Sequence, residues 1–364
     1  MKVRHAVFAA ACVIAITQGA SLLGQTSRPS IFDADGAVHV PAMTVPASLL
    51  SSTEARASLA ALANSSIPTT RRPSRDEIAA VQREDAAFFQ NWTATKAATS
   101  GVTVTATTIG GVNTDVFAPQ GGVPSRNRDR VLINLHGGGF FRGWRNYSVL
   151  ESVPVSAMGG FKVVSVEYRE APDHHFPAAS EDVAAVYKAL LKTYKPQNIG
   201  IYGCSAGGIL TFEALAWFQV HGLPRPGAIG IMGAGGMAEV AGDSLLTAQA
   251  LSGRALPQDV VPDRGLDLLN LYFAAGSARD AAQSPAYYPD ILRKFPPSLI
   301  LNATRDLTMS DAIFTHRALV KAGASSELHI WDGVGHCFEY DSRLPESQEA
   351  HQLLIQFFDQ HLGR

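Results

Sequence analysis

Cysteine is scarce, at three residues in 364. A chain of this size with so few cannot be a scaffold held by disulfides in place of a core. Charge is thin as well. Charged residues make up 17% and the formal net charge is −2, so there is no basic surplus to draw nucleic acid. After the N-terminus no apolar run reaches the roughly 18 residues of a membrane-spanning helix. Metal-ligand spacing is missing too. The pair His174–His175 stands in a polar loop without a carboxylate or cysteine set beside it, so no metal and no cofactor is expected. No internal repeat is visible. What is plentiful is apolar: 46% of the chain, enough for a large buried core.

The first residues differ from the rest. Lys2, Arg4 and His5 precede an apolar stretch from Ala6 to Ile16, and small residues follow from Thr17 to Gly24. This is the layout of a secretory signal peptide over residues 1–25, which predicts a secreted or periplasmic protein with no stable membrane insertion after its removal. Cys12 leaves with that segment, and the mature chain keeps Cys204 and Cys337.

Residues 26–100 read as a helical N-terminal region. Ser52 opens a helical pattern, and Ser74 with Glu77 forms a capping box ahead of an apolar face. From residue 101 onward short apolar runs alternate with helical patterns. The strands expected are Val102–Ile109, Thr114–Pro119, Arg130–His136, Phe161–Tyr168, Asn198–Cys204, Ala228–Ala234, Pro297–Thr304 and Ser326–Trp331. Helices are expected at Ser180–Tyr194, Ala206–His221, Asp311–Ala322 and Pro345–His361. Strands alternating with helices predict a mainly parallel sheet covered on both faces. Residues 242–288, mostly helical with prolines, read as an insertion.

"GCSAGG" lies where a strand ends and a helix begins, in the pattern G-x-S-x-G. Gly203 and Gly207 must be small where strand and helix nearly touch, and the sharp turn lifts the Ser205 hydroxyl above the sheet edge. The amide of Ala206, at the helix start, faces any negative charge forming there. "HGGGF" at His136–Phe140 follows another strand. Three consecutive glycines let backbone amides turn toward a ligand. No P-loop lysine and no G-x-G-x-x-G register accompanies them, which disfavours a phosphate loop. His136 precedes the serine and reads as a structural histidine.

A nucleophilic serine needs a base, and the base an orienting acid. Asp306 falls just past one strand and His336 in a glycine-bearing loop past the next, both at the sheet edge that carries Ser205. Asp311 and Asp332 are the rival acids. His316, His329, His351 and His361 lie on predicted helices or inside a strand. Phe140, Phe141 and Trp144 beside the glycine loop predict an apolar pocket wall.

The ordered set "HGGGF", "YREAPDHHFPAASED", "GCSAGG", "SLILNATRDL" and "GVGHCF" resembles the hormone-sensitive-lipase-like branch of α/β-hydrolases, the bacterial type IV esterases. The resemblance covers about Val102 to the C-terminus. It implies an α/β-hydrolase domain over residues 101–364, built on a mainly parallel eight-stranded sheet flanked by helices. It implies a helical cap from residues 26–100 and 242–288. It also implies a Ser205, Asp306 and His336 triad, with an oxyanion hole of Gly138, Gly139 and Ala206. The activity implied is hydrolysis of short- or medium-chain acyl or aryl esters. A lactonase, thioesterase or amidase with the same triad is the alternative, and a non-catalytic binding homologue a more distant one. The partner expected is a small-molecule ester, not nucleic acid, and a homodimer is allowed. The family usually has aspartate before the serine; here Cys204 stands there, beside the nucleophile, and Cys337 adjoins the base. Two small buried thiols are the plainer expectation for this pair, and a disulfide the other.

Overall fold

A computed structural model describes residues 33–34, 37–40, 43–61, 74–251, 267–273 and 279–363. The expected signal segment lies outside the described residues. The chain divides into two units, Met1–Val45 and Pro46–Arg364. In the first, the His39 imidazole meets the Asp33 carboxylate at 2.9 Å. The second unit holds the helices and the sheet.

Two helices open it, α1 (Thr53–Ala61) and α2 (Arg75–Thr99). The Ser52 hydroxyl accepts from the Ala55 amide at 3.0 Å, which satisfies one of the unpaired amides at the start of α1. At α2 the capping box forms as the sequence predicts. The Ser74 amide donates to Glu77 at 2.7 Å and the Glu77 amide to the Ser74 hydroxyl at 3.3 Å. Strands β1 (Val102–Ile109) and β2 (Val112–Pro119) follow as a hairpin. Its turn is Gly110–Gly111, both at positive φ, which two-residue hairpin turns require.

The remaining elements are β3 (Val131–Leu135), α3 (Tyr147–Gly159), β4 (Val163–Val166), α4 (Ala178–Leu190), β5 (Ile199–Cys204), α5 (Ala206–Val220), β6 (Ala228–Met232), α6 (Ser244–Leu251), α7 (Pro289–Leu292), β7 (Ser298–Arg305), α8 (Met309–Lys321), β8 (Ser326–Gly335) and α9 (Pro345–His361). One eight-stranded sheet results, in the order β1-β2-β4-β3-β5-β6-β7-β8. β2 runs antiparallel to both its neighbours, and β3 through β8 are parallel with β4. This is the α/β architecture predicted. The strand–helix patterning carries it because β3, β5 and β6 are buried along their whole length. A strand covered on both faces needs apolar residues at every position.

One face of the sheet packs Ile133, Ile201 and Ile231 against Val183, Leu210 and Phe212. The other packs Leu132, Tyr202 and Met232 against Val153, Leu354 and Phe358. Burying each such aliphatic side chain contributes about 1.5–3 kcal/mol. In residues 242–288 the described part holds α6 and short 3-10 turns at Asp267–Leu271 and Pro285–Tyr287. Helix α3 was not expected from the sequence. Pro154 inside it and the turn-like Asn146–Tyr147 hide its pattern, but the Asn146 side chain caps its first turn. Pro154 interrupts the ladder without ending the helix, since buried Val149, Val153 and Val155 hold it on the sheet.

Candidate active site

Parallel strands bring their C-terminal ends to one edge, and the candidate site is built there. β5 ends at Cys204, and the chain reverses at Ser205 into α5. Ser205 has φ 55° and ψ −121°, a strained conformation for a residue with a side chain. The turn is held by the Ser205 amide, which donates to the Met232 carbonyl of β6 at 2.9 Å. A Cβ on Gly207 would collide with the carbonyl of Leu135 at the end of β3, so this position accepts only glycine.

Asp306 follows β7 and His336 follows β8, each directly at its strand end. His336 Nε2 lies 2.9 Å from Ser205 Oγ, and His336 Nδ1 lies 2.9 Å from Asp306 Oδ1. Asp306 is 1% exposed, and the same Oδ1 also accepts from the Thr308 amide at 2.8 Å and the Thr308 hydroxyl at 2.9 Å. Asn302 steadies Thr308 in turn, its amide donating to the hydroxyl at 3.0 Å. The structure therefore brings together the three residues singled out from the sequence. The rivals are engaged elsewhere. Asp311 accepts from the Ala241 amide, Asp332 from the Ser48 and Thr304 hydroxyls, and His351 Nδ1 donates to the Ser347 carbonyl.

The glycine loop after β3 has Gly138 at φ 124° and Gly139 at φ 66°. Its footing is polar and buried. His136 is stacked on Tyr168 at 4.4 Å and donates from Nδ1 to the Gly137 carbonyl at 2.8 Å. Burial drives this imidazole down to about 4, so it is neutral and structural, as its place in the chain suggested. The Tyr168 hydroxyl donates to the His136 carbonyl at 2.6 Å. Helix α2 reaches the same loop. Gln82 donates to the Phe141 carbonyl at 2.6 Å, and Asp85 pairs with Arg142 at 3.2 Å.

Phe140 and Phe141 are placed differently from the expected pocket wall. Phe140 has φ 63°, is fully buried, and stacks on Tyr272 at 4.5 Å with Phe273 against its edge. Phe141 is also buried, and Trp144 lies 6.1 Å from the His136 ring under Arg145. The left-handed backbone at Phe140 turns its ring into the core. A cavity of about 210 Å3 against His336 is lined by residues such as Leu59, Ala248, Leu307, Val334 and Phe338.

Cys204 and Cys337 are joined as a disulfide, with their Cα atoms 6.6 Å apart. The plainer expectation of two free thiols is corrected. The turn at Ser205 and the loop at His336 approach each other to align serine and histidine, and that approach brings their neighbours within bridging range.

Residues 132–340 match a family model described as the alpha/beta hydrolase fold. The chain belongs to the α/β-hydrolase fold family. This α/β-hydrolase is similar to an acetyl-hydrolase of Streptomyces hygroscopicus, 30% identical over 229 residues that cover 62% of this chain and 74% of that protein. Among solved structures it is similar to the esterase E25, with 26% identity and a TM-score of 0.78 over 90% of this chain and 99% of that one. It shares its fold with an esterase from the bacterial hormone-sensitive lipase family, with 24% identity and a TM-score of 0.69 over 85% of this chain and 97% of that one. The expected α/β-hydrolase family and fold thus hold.

Three carboxyls near the site make the stability of this hydrolase pH-dependent. Burial pushes Glu151 up to about 7, and Glu170 and Glu339 up to about 8. In the unfolded chain such groups ionise near 4.5, so the native state keeps protons that the unfolded state has lost. Stability is then lost as pH rises through the folded values. His136 acts in the opposite sense, but its window closes above 6.5, where the unfolded imidazole is already neutral. The melting temperature is expected to fall between about pH 6.5 and 8.5 at constant ionic strength. A flat or rising thermal denaturation midpoint over that range contradicts this account.

Proposed function

We propose that the chain is a serine carboxylic ester hydrolase acting on short- or medium-chain acyl or aryl esters. The observation that supports it most is the hydrogen-bonded run from Ser205 through His336 to buried Asp306 at one sheet edge. Similarity to proteins named acetyl-hydrolase and esterase supports the bond class. Ser205 Oγ attacks the acyl carbon while His336 Nε2 takes its proton. Asp306 holds the imidazole tautomer and stabilises its positive charge. The carbonyl oxygen, now an oxyanion, accepts from the N–H groups of Gly138, Gly139 and Ala206. Collapse breaks the ester C–O bond, and His336 returns the proton to the leaving alcohol. Water then attacks the acyl-enzyme with His336 as base; the acyl C–Oγ bond breaks, His336 returns the proton to Ser205, and the acid departs.

Export is part of this reading. Its supports are the basic and apolar pattern of residues 1–25 and the Cys204–Cys337 bridge, which persists in an oxidising compartment.

The test is a p-nitrophenyl ester series from acetate to palmitate, run beside a lactone and an amide, with a fluorophosphonate probe mapped by mass spectrometry. Turnover highest on acetate to hexanoate, and label on Ser205, are expected. Absence of ester turnover, or label elsewhere than Ser205, overturns the proposal.

A further inference from the structure

Behind the glycine loop lies a buried carboxylate that the ester chemistry leaves unused. Glu151 sits on α3 and is 1% exposed. Its Oε1 accepts from the Gly137 amide at 2.8 Å and from the Tyr340 hydroxyl at 2.8 Å. Its Oε2 accepts from the Asn134 side-chain amide at 2.7 Å, and the Asn134 carbonyl accepts from the Ser165 hydroxyl at 2.8 Å. The backbone of Cys204 also favours the charged form of Glu151. One side chain therefore meets the loop of Gly138 and Gly139, the turn of Ser205, and the turn that follows His336.

We propose that Glu151 is a positioning residue for the oxyanion loop, holding the Gly137–Gly139 backbone in register with the nucleophile turn and the histidine loop. The inference rests on the ester-hydrolase reading above. A run of glycines has no side chains to pack and many backbone states to lose, so its order must come from outside. Burying a carboxylate is costly, and an apolar side chain would fill the space with less penalty. An apolar side chain cannot accept from the Gly137 N–H, which would be left buried and unpaired. With that amide committed to Glu151, the two amides that follow are the ones left to face substrate. Contact is tight on the other side as well. A Cβ on Gly137 would lie 2.5 Å from the Tyr340 hydroxyl oxygen and 3.5 Å from the Ser205 Cβ. Tyr340 is itself stacked on Tyr147 of α3 at 5.1 Å. Movement of the loop is thus felt at the serine and behind the histidine together.

Donors aimed in advance act on the charge that develops in the transition state, more than on the bound ester. Loosening them lowers kcat and leaves KM nearly unchanged. The experiment compares wild type with Glu151→Ala, Glu151→Asp, Glu151→Gln and Tyr340→Phe. It reads kcat and KM on p-nitrophenyl butyrate, affinity for an alkyl boronic acid that forms a tetrahedral adduct on serine, and melting temperature. Glu151→Ala is expected to lower kcat about ten- to hundredfold. KM should stay within about threefold, and boronate affinity should weaken in step with kcat. Glu151→Asp, which keeps the carboxyl but withdraws it from Gly137, should lie between Ala and wild type. It carries the test if the alanine variant fails to fold. Glu151→Gln, whose amide oxygen still accepts from Gly137, should recover most of the rate, and Tyr340→Phe should lose less than Glu151→Ala. Folded Asp and Ala variants with kcat and boronate affinity within about twofold of an active wild type, or with losses confined to stability, overturn this inference alone. A wild type without ester turnover removes the reading it rests on, and the inference with it.

Discussion

The Ser205→Ala protein is expected to lose about a millionfold in kcat on a p-nitrophenyl ester while keeping its melting temperature. The size follows from the loss of the acyl-enzyme path. Without Oγ there is no covalent intermediate, and His336 has no serine proton to take. What remains is acceleration by oxyanion binding and orientation, roughly 10³–10⁴ over water. Stability should be spared because the hydroxyl makes its side-chain hydrogen bond to His336, on the open side of the turn. The backbone of the turn is fixed by other groups, chiefly the Ser205 amide on the Met232 carbonyl. Steady-state kinetics on protein passed over fluorophosphonate, to remove wild-type carry-over, measures the loss. Activity above about one per cent of wild type rejects Ser205 as nucleophile.

Asp306 is predicted to show two different deficits. Asp306→Ala removes both the charge and the acceptor, and kcat should fall about 3 × 10⁴-fold. Asp306→Asn should fall less. At Asp306 the oxygen that faces His336 is the same one that accepts from the Thr308 amide and hydroxyl. Those donors select the carbonyl end of an asparagine, so its oxygen would still accept from His336 Nδ1–H. The tautomer with a free Nε2 survives, and the charge alone is lost. Asparagine is therefore expected to retain at least about tenfold more kcat than alanine. Equal loss in the two variants rejects the role given to Thr308. Crystallographic or NMR assignment of the tautomer in Asp306→Asn checks the same point directly.

Much of this architecture was legible in the sequence because the signals were local. Continuous apolar runs mark strands buried on both faces, and β3, β5 and β6 are such strands. The helix Pro345–His361 carries its proline start signal and appears with the bounds predicted. Ser205, Asp306 and His336 each follow a strand, and parallel strands deliver their ends to one edge. The rest depended on contacts that spacing does not encode. Helix α3 is hidden by Pro154, and a lone glutamate in an apolar stretch reads as solvent-facing, so Glu151 was missed. Its signal, in retrospect, was a charge amid residues too apolar for a surface helix: eight others on α3 are buried with it. Phe140 was misplaced because an aromatic after a glycine run suggests a wall, and one left-handed residue turned it into the core. The cysteine pair is separated by 133 residues, and no local pattern states how close such residues come in space.

That same bridge has a topological meaning. It closes the stretch from Cys204 to Cys337 into a covalent ring, within which lie Ser205, β6, β7, Asp306, β8 and His336. All three residues of the candidate triad belong to one cycle rather than to one open string. A single peptide-bond scission anywhere along it opens the ring without parting the molecule. Serine and histidine then remain tethered through sulfur, and the strands between them stay paired. The first cut inside the ring cannot separate Ser205 from His336.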